Sequence, residues 1–220
     1  ELKRLAPVVG TRTPAKVAIV FDWESRWMLN AAAGPSAFAK DTDAAALAHY
    51  RPYWQRGIPV DLVNGDAKLD GYDVVIAPQL YMLREGFAAR VERFVEKGGT
   101  FVATYLTGIA NETDLVFSGG LPGPLRNVLG IRSVETDYLY EDERNEVVMG
   151  SGAPMALSGS YPVARVCDVV RAETAEIVAT YERDFYAGGP AITVNRFGKG
   201  EAWYIAAAGA DDRLLDAFHG

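Results

Sequence analysis

Lys16-Val17-Ala18-Ile19-Val20-Phe21-Asp22-Trp23-Glu24-Ser25-Arg26-Trp27 is the stretch that decides the architecture. Residues 16–21 predict a strand. A Val/Ile-rich run without polar alternation suits a strand covered on both faces, as in a parallel sheet. The run passes directly into a turn carrying two carboxylates, an arginine and two tryptophans. In an open α/β sheet, ligands and partners are met just beyond a strand's carboxyl end. The stretch therefore predicts an α/β fold and the place where function should be sought.

Downstream, the Ala/Gly/Pro-rich segment Asn30 to Lys40 reads as a loop, and Asp41, Thr42 and Asp43 offer oxygens to cap a helix. That helix places Leu47, Tyr50 and Trp54 along one side with Ala44 and Ala48 beside them, and Pro52 predicts a kink or an early end. Gly57 closes it. Ile58 to Val63 and Tyr72 to Ala77 read as strands, the second stopped by Pro78. A helix over about 83–97 follows, with Phe87, Val91, Phe94 and Val95 at the spacing of a buried stripe and Gly98-Gly99 at its end. Thr100 to Thr104 is the next strand. Helical crossovers between strands predict a parallel sheet with helices on its faces, a flavodoxin-like or amidotransferase-like half.

The second half reads differently. Residues 105–135 are loop-rich around Gly119-Gly120-Leu121-Pro122-Gly123-Pro124, with a short helix at Leu125 to Leu129. Short strands are expected near 145–150, 176–181, 190–195 and 202–207. Phe197-Gly198-Lys199-Gly200 makes a hairpin turn that completes the same sheet, and Asp211 and Asp212 cap a last helix, Arg213 to Phe218. The expected organisation is a lead-in at 1–15 and one α/β domain over 16–220: three layers, a mostly parallel sheet and a C-terminal β-hairpin. The opening Glu1 to Leu5, without a methionine, suggests a helical remnant of a longer polypeptide.

Composition sets limits. Of 220 residues, 49% are hydrophobic and 23% charged, enough to build a core. The net charge of −7 argues against nucleic-acid and anionic-membrane partners, which require a basic face. The single cysteine, Cys167, excludes an internal disulfide and suits a reducing cytoplasm.

The chemistry-bearing residues are sparse. Cys167 sits in a strand-like apolar context; His49 lies in the first helix and His219 is the penultimate residue, neither in a loop that would place a base. No Gly-x-Ser-x-Gly elbow occurs. Zinc spacing is lacking, and Glu141-Asp142-Glu143 lacks the ligand spacing of a calcium loop. Neither metal nor cofactor is called for. Asp22 and Glu24 could approach the separation of a glycosidase pair, but a salt bridge to Arg26 or a cap explains them more simply. Trp23 and Trp27, four residues apart beyond a strand, cannot easily both be core, so at least one faces a partner or ligand.

These residues carry a resemblance. Val17 to Trp27, Tyr72-Asp73-Val74-Val75-Ile76-Ala77-Pro78 with Leu80-Tyr81, and Gly98-Gly99-Thr100-Phe101-Val102 are similar to the trimerisation domain of glycoside hydrolase family 42 β-galactosidases. So are Thr107-Gly108-Ile109, Gly120-Leu121-Pro122-Gly123-Pro124-Leu125 and Asn195-Arg196-Phe197-Gly198-Lys199-Gly200, in the same order. The resemblance implies a fold like class I glutamine amidotransferases, placed after a catalytic (β/α)₈ barrel and before a small β domain. It implies that the barrel outside this chain holds the galactoside and the catalytic glutamates, so that no catalytic residue is expected here. It also implies that Tyr105-Leu106 stand where an amidotransferase has its cysteine. The domain would build a homotrimer and help enclose a neighbour's active site, with Asp22, Trp23, Glu24, Arg26 and Trp27 as candidates for the interface or substrate mouth. Two other classes remain open: an amidotransferase-like hydrolase using Cys167, and a carbohydrate-binding module using Trp23 or Trp27 as a platform.

Overall fold

The computed structural model describes residues 2–33, 40–154 and 156–220. A 3-10 helix, Leu2–Val8, leads to β1 (Val17–Val20), whose four residues are all buried, as a strand covered on both faces requires. Then come α1 (Trp23–Ala31), α2 (Thr42–Gln55), β2 (Val60–Val63), β3 (Val74–Ala77), β4 (Met82–Leu83), α3 (Phe87–Glu96), β5 (Thr100–Thr104) and β6 (Ala110–Asn111). A 3-10 turn, Gly123–Leu125, runs into α4 (Arg126–Leu129). The rest is mainly β: β7 (Ile131–Tyr138), β8 (Asn145–Met149), β9 (Ser160–Ala172), β10 (Glu176–Tyr181), β11 (Pro190–Phe197), β12 (Gly200–Ile205) and β13 (Ala207–Gly209), closed by α5 (Arg213–Phe218).

One eleven-stranded sheet spans both halves, in the order β13-β9-β8-β10-β11-β12-β5-β3-β1-β2 with β7 on β9. From β12 through β5, β3 and β1 to β2 every pairing is parallel. From β12 outward through β11, β10, β8 and β9 every pairing is antiparallel. The sheet is thus mixed, and the expectation of a mostly parallel one is corrected. The long strand β9, paired with β7, β8 and β13, was hidden because its partners are remote in sequence and Arg165 interrupts it with φ 71°. β11 and β12 pair antiparallel from Phe197–Gly200 inward, across a turn in which Gly198 takes φ 62°.

The helices follow their apolar stripes, with one exception. α3 buries Phe87, Val91, Phe94 and Val95 against β5 and β12, each contributing on the order of 2 kcal/mol by leaving water. α2 turns a different face inward from the one its apolar residues suggest: Ala46, His49 and Tyr53 are buried, while Leu47 and Trp54 are exposed. The polar tips of His49 and Tyr53 can be buried because α5 satisfies them. His49 Nδ1 and His219 Nε2 lie 2.8 Å apart, and Tyr53 OH is 3.0 Å from His219 Nδ1. The helix also continues three residues beyond Pro52, so it does not end early. A proline so near the last turn removes a single intrahelical bond. Of the loop expected at 30–40, Asn30 and Ala31 close α1, and residues 34–39 lie outside the described residues.

Candidate functional site

The segment after β1 is not a loose turn. Asp22 caps α1: the backbone N–H groups of Glu24 and Ser25 donate to its Oδ1 at 3.0 and 3.3 Å. Its Oδ2 accepts from the Gly65 N–H at 3.1 Å and from Arg84 Nε at 2.7 Å. Asp22 is 2% exposed, so its charge needs these partners. Burial alone would raise its pKa, but the Arg84 hydrogen bond and the Ser25 and Gly65 N–H groups outweigh burial and hold it below the usual carboxylate value. The same hydrogen bond raises the pKa of Arg84. Arg84 Nη2 also reaches Glu24 Oε2 at 2.7 Å. Both carboxylates of the expected pair therefore grip one guanidinium, an arrangement that fixes a helix end. The expected partner Arg26 is replaced by Arg84, 62 residues further on and without a local signal.

Arg26 instead forks onto Asp43 at the start of α2, at 2.9 and 2.6 Å, and its guanidinium stands 5.4 Å over the Trp23 ring. α1 then has two faces. Ser25 and Leu29 point inward, and Ser25 Oγ accepts from the Met82 N–H of β4 at 3.0 Å. Trp23 and Trp27 stand outward, 57% and 58% exposed, with ring centroids 6.3 Å apart. Phe21 meets Trp23 edge to face at 5.3 Å. The helix is held at its N-terminus by Asp22, at its side by Arg26 and at its base by Ser25. Its two tryptophans are thus displayed on a fixed support. Ser25, Gly65 and Arg84 are the supporting residues that sequence reasoning missed, and Asp43, read there as a helix cap, holds Arg26 instead.

The nucleophile candidate lies elsewhere. Cys167 is fully buried, and burial pushes its thiol up to about 12, which keeps it protonated. Its hydrogen-bonding neighbours are the phenols of Tyr186 and Tyr181, and both histidines are committed to the clasp between α2 and α5. After β5, Leu106 takes φ 60° and sends its N–H to Asp168 Oδ2 at 3.3 Å. The turn there carries Tyr105 and Leu106 and no cysteine. Among the described residues no three His, Cys, Asp or Glu side chains converge as metal ligands, and no helix is long and apolar enough to cross a membrane.

Residues 15–219 match the family model described as "Beta-galactosidase trimerisation domain". The chain is 46% identical over 217 residues to the β-galactosidase BglY of Alicyclobacillus acidocaldarius, covering 99% of this chain and 31% of that protein. It is 44% identical to the β-galactosidase Pbg of Clostridium perfringens, covering 99% of this chain and 32% of that protein. Among solved structures, a β-galactosidase from Bacillus circulans sp. alkalophilus superposes with a TM-score of 0.93 at 43% identity, over 99% of this chain and 32% of its own. The cold-adapted enzyme from Rahnella sp. R3 gives 0.91 at 50% identity, again over 99% and 32%. The chain thus spans about a third of the length of the relatives it matches.

Proposed function

This chain belongs to the β-galactosidase trimerisation domain family, and from that premise we propose that it is the non-catalytic oligomerisation module of a β-galactosidase. In this reading the full enzyme hydrolyses terminal β-galactosides with residues outside this chain. The module builds the trimer and helps to enclose a neighbouring subunit's active site. The observation that carries the reading is the rigid display of Trp23 and Trp27 on α1, two large aromatic side chains more than half exposed on a helix braced at three points. Aromatic anchors of this kind dominate interface energetics, and a three-fold ring requires one such patch to meet a different patch on the next copy.

The finer fold reading rests on chain direction. The crossovers β1–α2–β2 and β3–α3–β5 run opposite ways across the sheet, and right-handedness sends their helices to opposite faces. That supports a three-layer, flavodoxin-like and amidotransferase-like arrangement of the parallel half. The single thiol, Cys167, suits a cytoplasmic setting.

Light scattering tests the proposal. The expected mass is three times the 23.9 kDa of one chain, and a monomer at every concentration contradicts it. Release of nitrophenol from a nitrophenyl galactoside by this chain alone would contradict the assignment of catalysis to other parts of the enzyme.

A further inference from the structure

A cleft of about 430 Å³ opens at the carboxyl ends of β5 and β12, where Thr104, Tyr105 and Ile205 line it. It is remote in role from the braced tryptophans, and none of Asp22, Trp23 or Trp27 lines it. Its size is that of a small-molecule site, roughly 300–1,000 Å³, and its place beyond the ends of parallel strands is where open α/β sheets take ligands. α2 supplies one wall through small alanines, and β13 another. Two of the chain's non-glycine residues with left-handed backbones, Gln79 (φ 46°) and Arg165 (φ 71°), face this one cavity. Strained backbone of this kind collects at ligand sites.

The charge census selects the ligand class. Of the acidic residues in the lining, Asp211 is paired with Arg213 at 2.8 Å, Asp212 is paired with Arg51, and Asp41 gives one oxygen to the Ala44 N–H at 2.9 Å. Glu141 has no ion-pair partner among the described residues, and neither has Arg165. Arg144 spends one guanidinium nitrogen on the carbonyls of Glu141 and Glu143, which holds it beside the cleft. A small anion drawn by Arg165 and Arg144 would meet the carboxylates of Glu141 and Asp41 in the same space. A cation would meet the two arginines. A neutral polyol can donate to the carboxylates and accept from the guanidinium groups at once. Tyr140, 74% exposed at the rim, adds an aromatic face that the C–H side of a sugar ring can cover.

We propose that this cleft is a non-catalytic binding site for a neutral mono- or disaccharide, gripped by Arg165, Arg144, Glu141 and Asp41 and stacked on Tyr140. Only the choice of galactosides as first probes rests on the functional reading above. The site itself stands on the cleft.

Isothermal titration of this chain with galactose, lactose and sodium sulfate is the test, run beside the mass measurement on the same samples. Lactose or galactose binds saturably with a millimolar Kd, and Tyr140→Ala and Arg165→Ala each weaken it roughly fivefold, the loss of one ring face or one charged donor. Both side chains are exposed, so the variants fold, which an unchanged urea midpoint checks. No saturation at tens of millimolar overturns the proposal. So does sulfate that competes with the sugar, which marks an anion site, and so does sugar binding that survives both variants but is lost in Trp27→Ala. A trimer without sugar binding sinks this inference alone, and a sugar-binding monomer sinks only the oligomerisation reading.

Discussion

Asp22 and Asp168 are buried to the same depth, 2% and 1% exposed, yet they sit in opposite electrostatic regimes. Asp22, in the parallel half, has a guanidinium at 2.7 Å and two helix N–H groups, and its pKa is lowered. Asp168, in the antiparallel half, has only neutral donors among the described residues: Thr136 Oγ1 and Tyr204 OH, each at 2.6 Å, and the Leu106 N–H. Burial dominates there and raises its pKa despite those three bonds. One carboxylate is a charged clamp that fixes the helix bearing the exposed tryptophans. The other is a polar pin joining β7, β9, β12 and the elbow after β5. Burial alone says little about what a carboxylate does, and the partner decides it.

The contrast is broken most directly by removing each acid. Asp22→Ala uncaps α1 and leaves Arg84 with only its more exposed partners Glu24 and Asp66, and is expected to cost about 3 kcal/mol, the scale of a broken buried ion pair. Urea unfolding measures it. In an Arg84→Met background the same change should cost less, because the ion pair is already gone and only the cap remains to be lost. Gly65→Ala comes next. Its Cβ would stand 2.9 Å from Asp22 Oδ2 and 3.2 Å from Arg84 Cδ, and about 2 kcal/mol is expected, an overpacking cost that should shrink when Asp22 is already alanine. Asp168→Asn keeps an acceptor for Tyr204 and Leu106 while Thr136 reverses its hydroxyl, so a smaller loss of about 1 kcal/mol is expected.

Proton linkage sharpens the same comparison. The lowered pKa of Asp22 gives stability that is present above its unfolded value and lost as pH falls through its folded value. The raised pKa of Asp168 gives the reverse, a contribution present at low pH and lost as pH rises through its folded value. Across urea midpoints from about pH 3 to about pH 7, the penalty of Asp22→Asn should therefore grow with pH and that of Asp168→Asn should shrink. Parallel trends in the two variants would remove the distinction between clamp and pin.

The parallel half was legible because its signals are local. The Val17–Val20 run, the stripe on α3 and the Gly-Gly end before β5 each announce an element within a few residues. That at least one of Trp23 and Trp27 faces outward was legible as well, from their spacing beyond a strand end; both do. What stayed hidden depends on distant partners. The turn after β1 is helical because Asp22 caps it, and Asp22 can be buried because of Arg84 from beyond β4. β9 exists through β7, β8 and β13, and α2 is rotated by the histidine at the far end of the chain. No short window of sequence carries such pairings.

The smallest effect on stability should come with the largest effect on assembly. Trp23 and Trp27 are more than half exposed and their ring contacts lie at the surface, so replacing them should change the unfolding free energy by no more than about 1 kcal/mol. Sedimentation velocity on the native chain and on the double variant Trp23→Glu/Trp27→Glu, matched in unfolding midpoint, is the decisive measurement. A native trimer with a monomeric variant is the expected result. A variant that sediments like the native chain would contradict the assignment of α1 as the surface that holds the copies together.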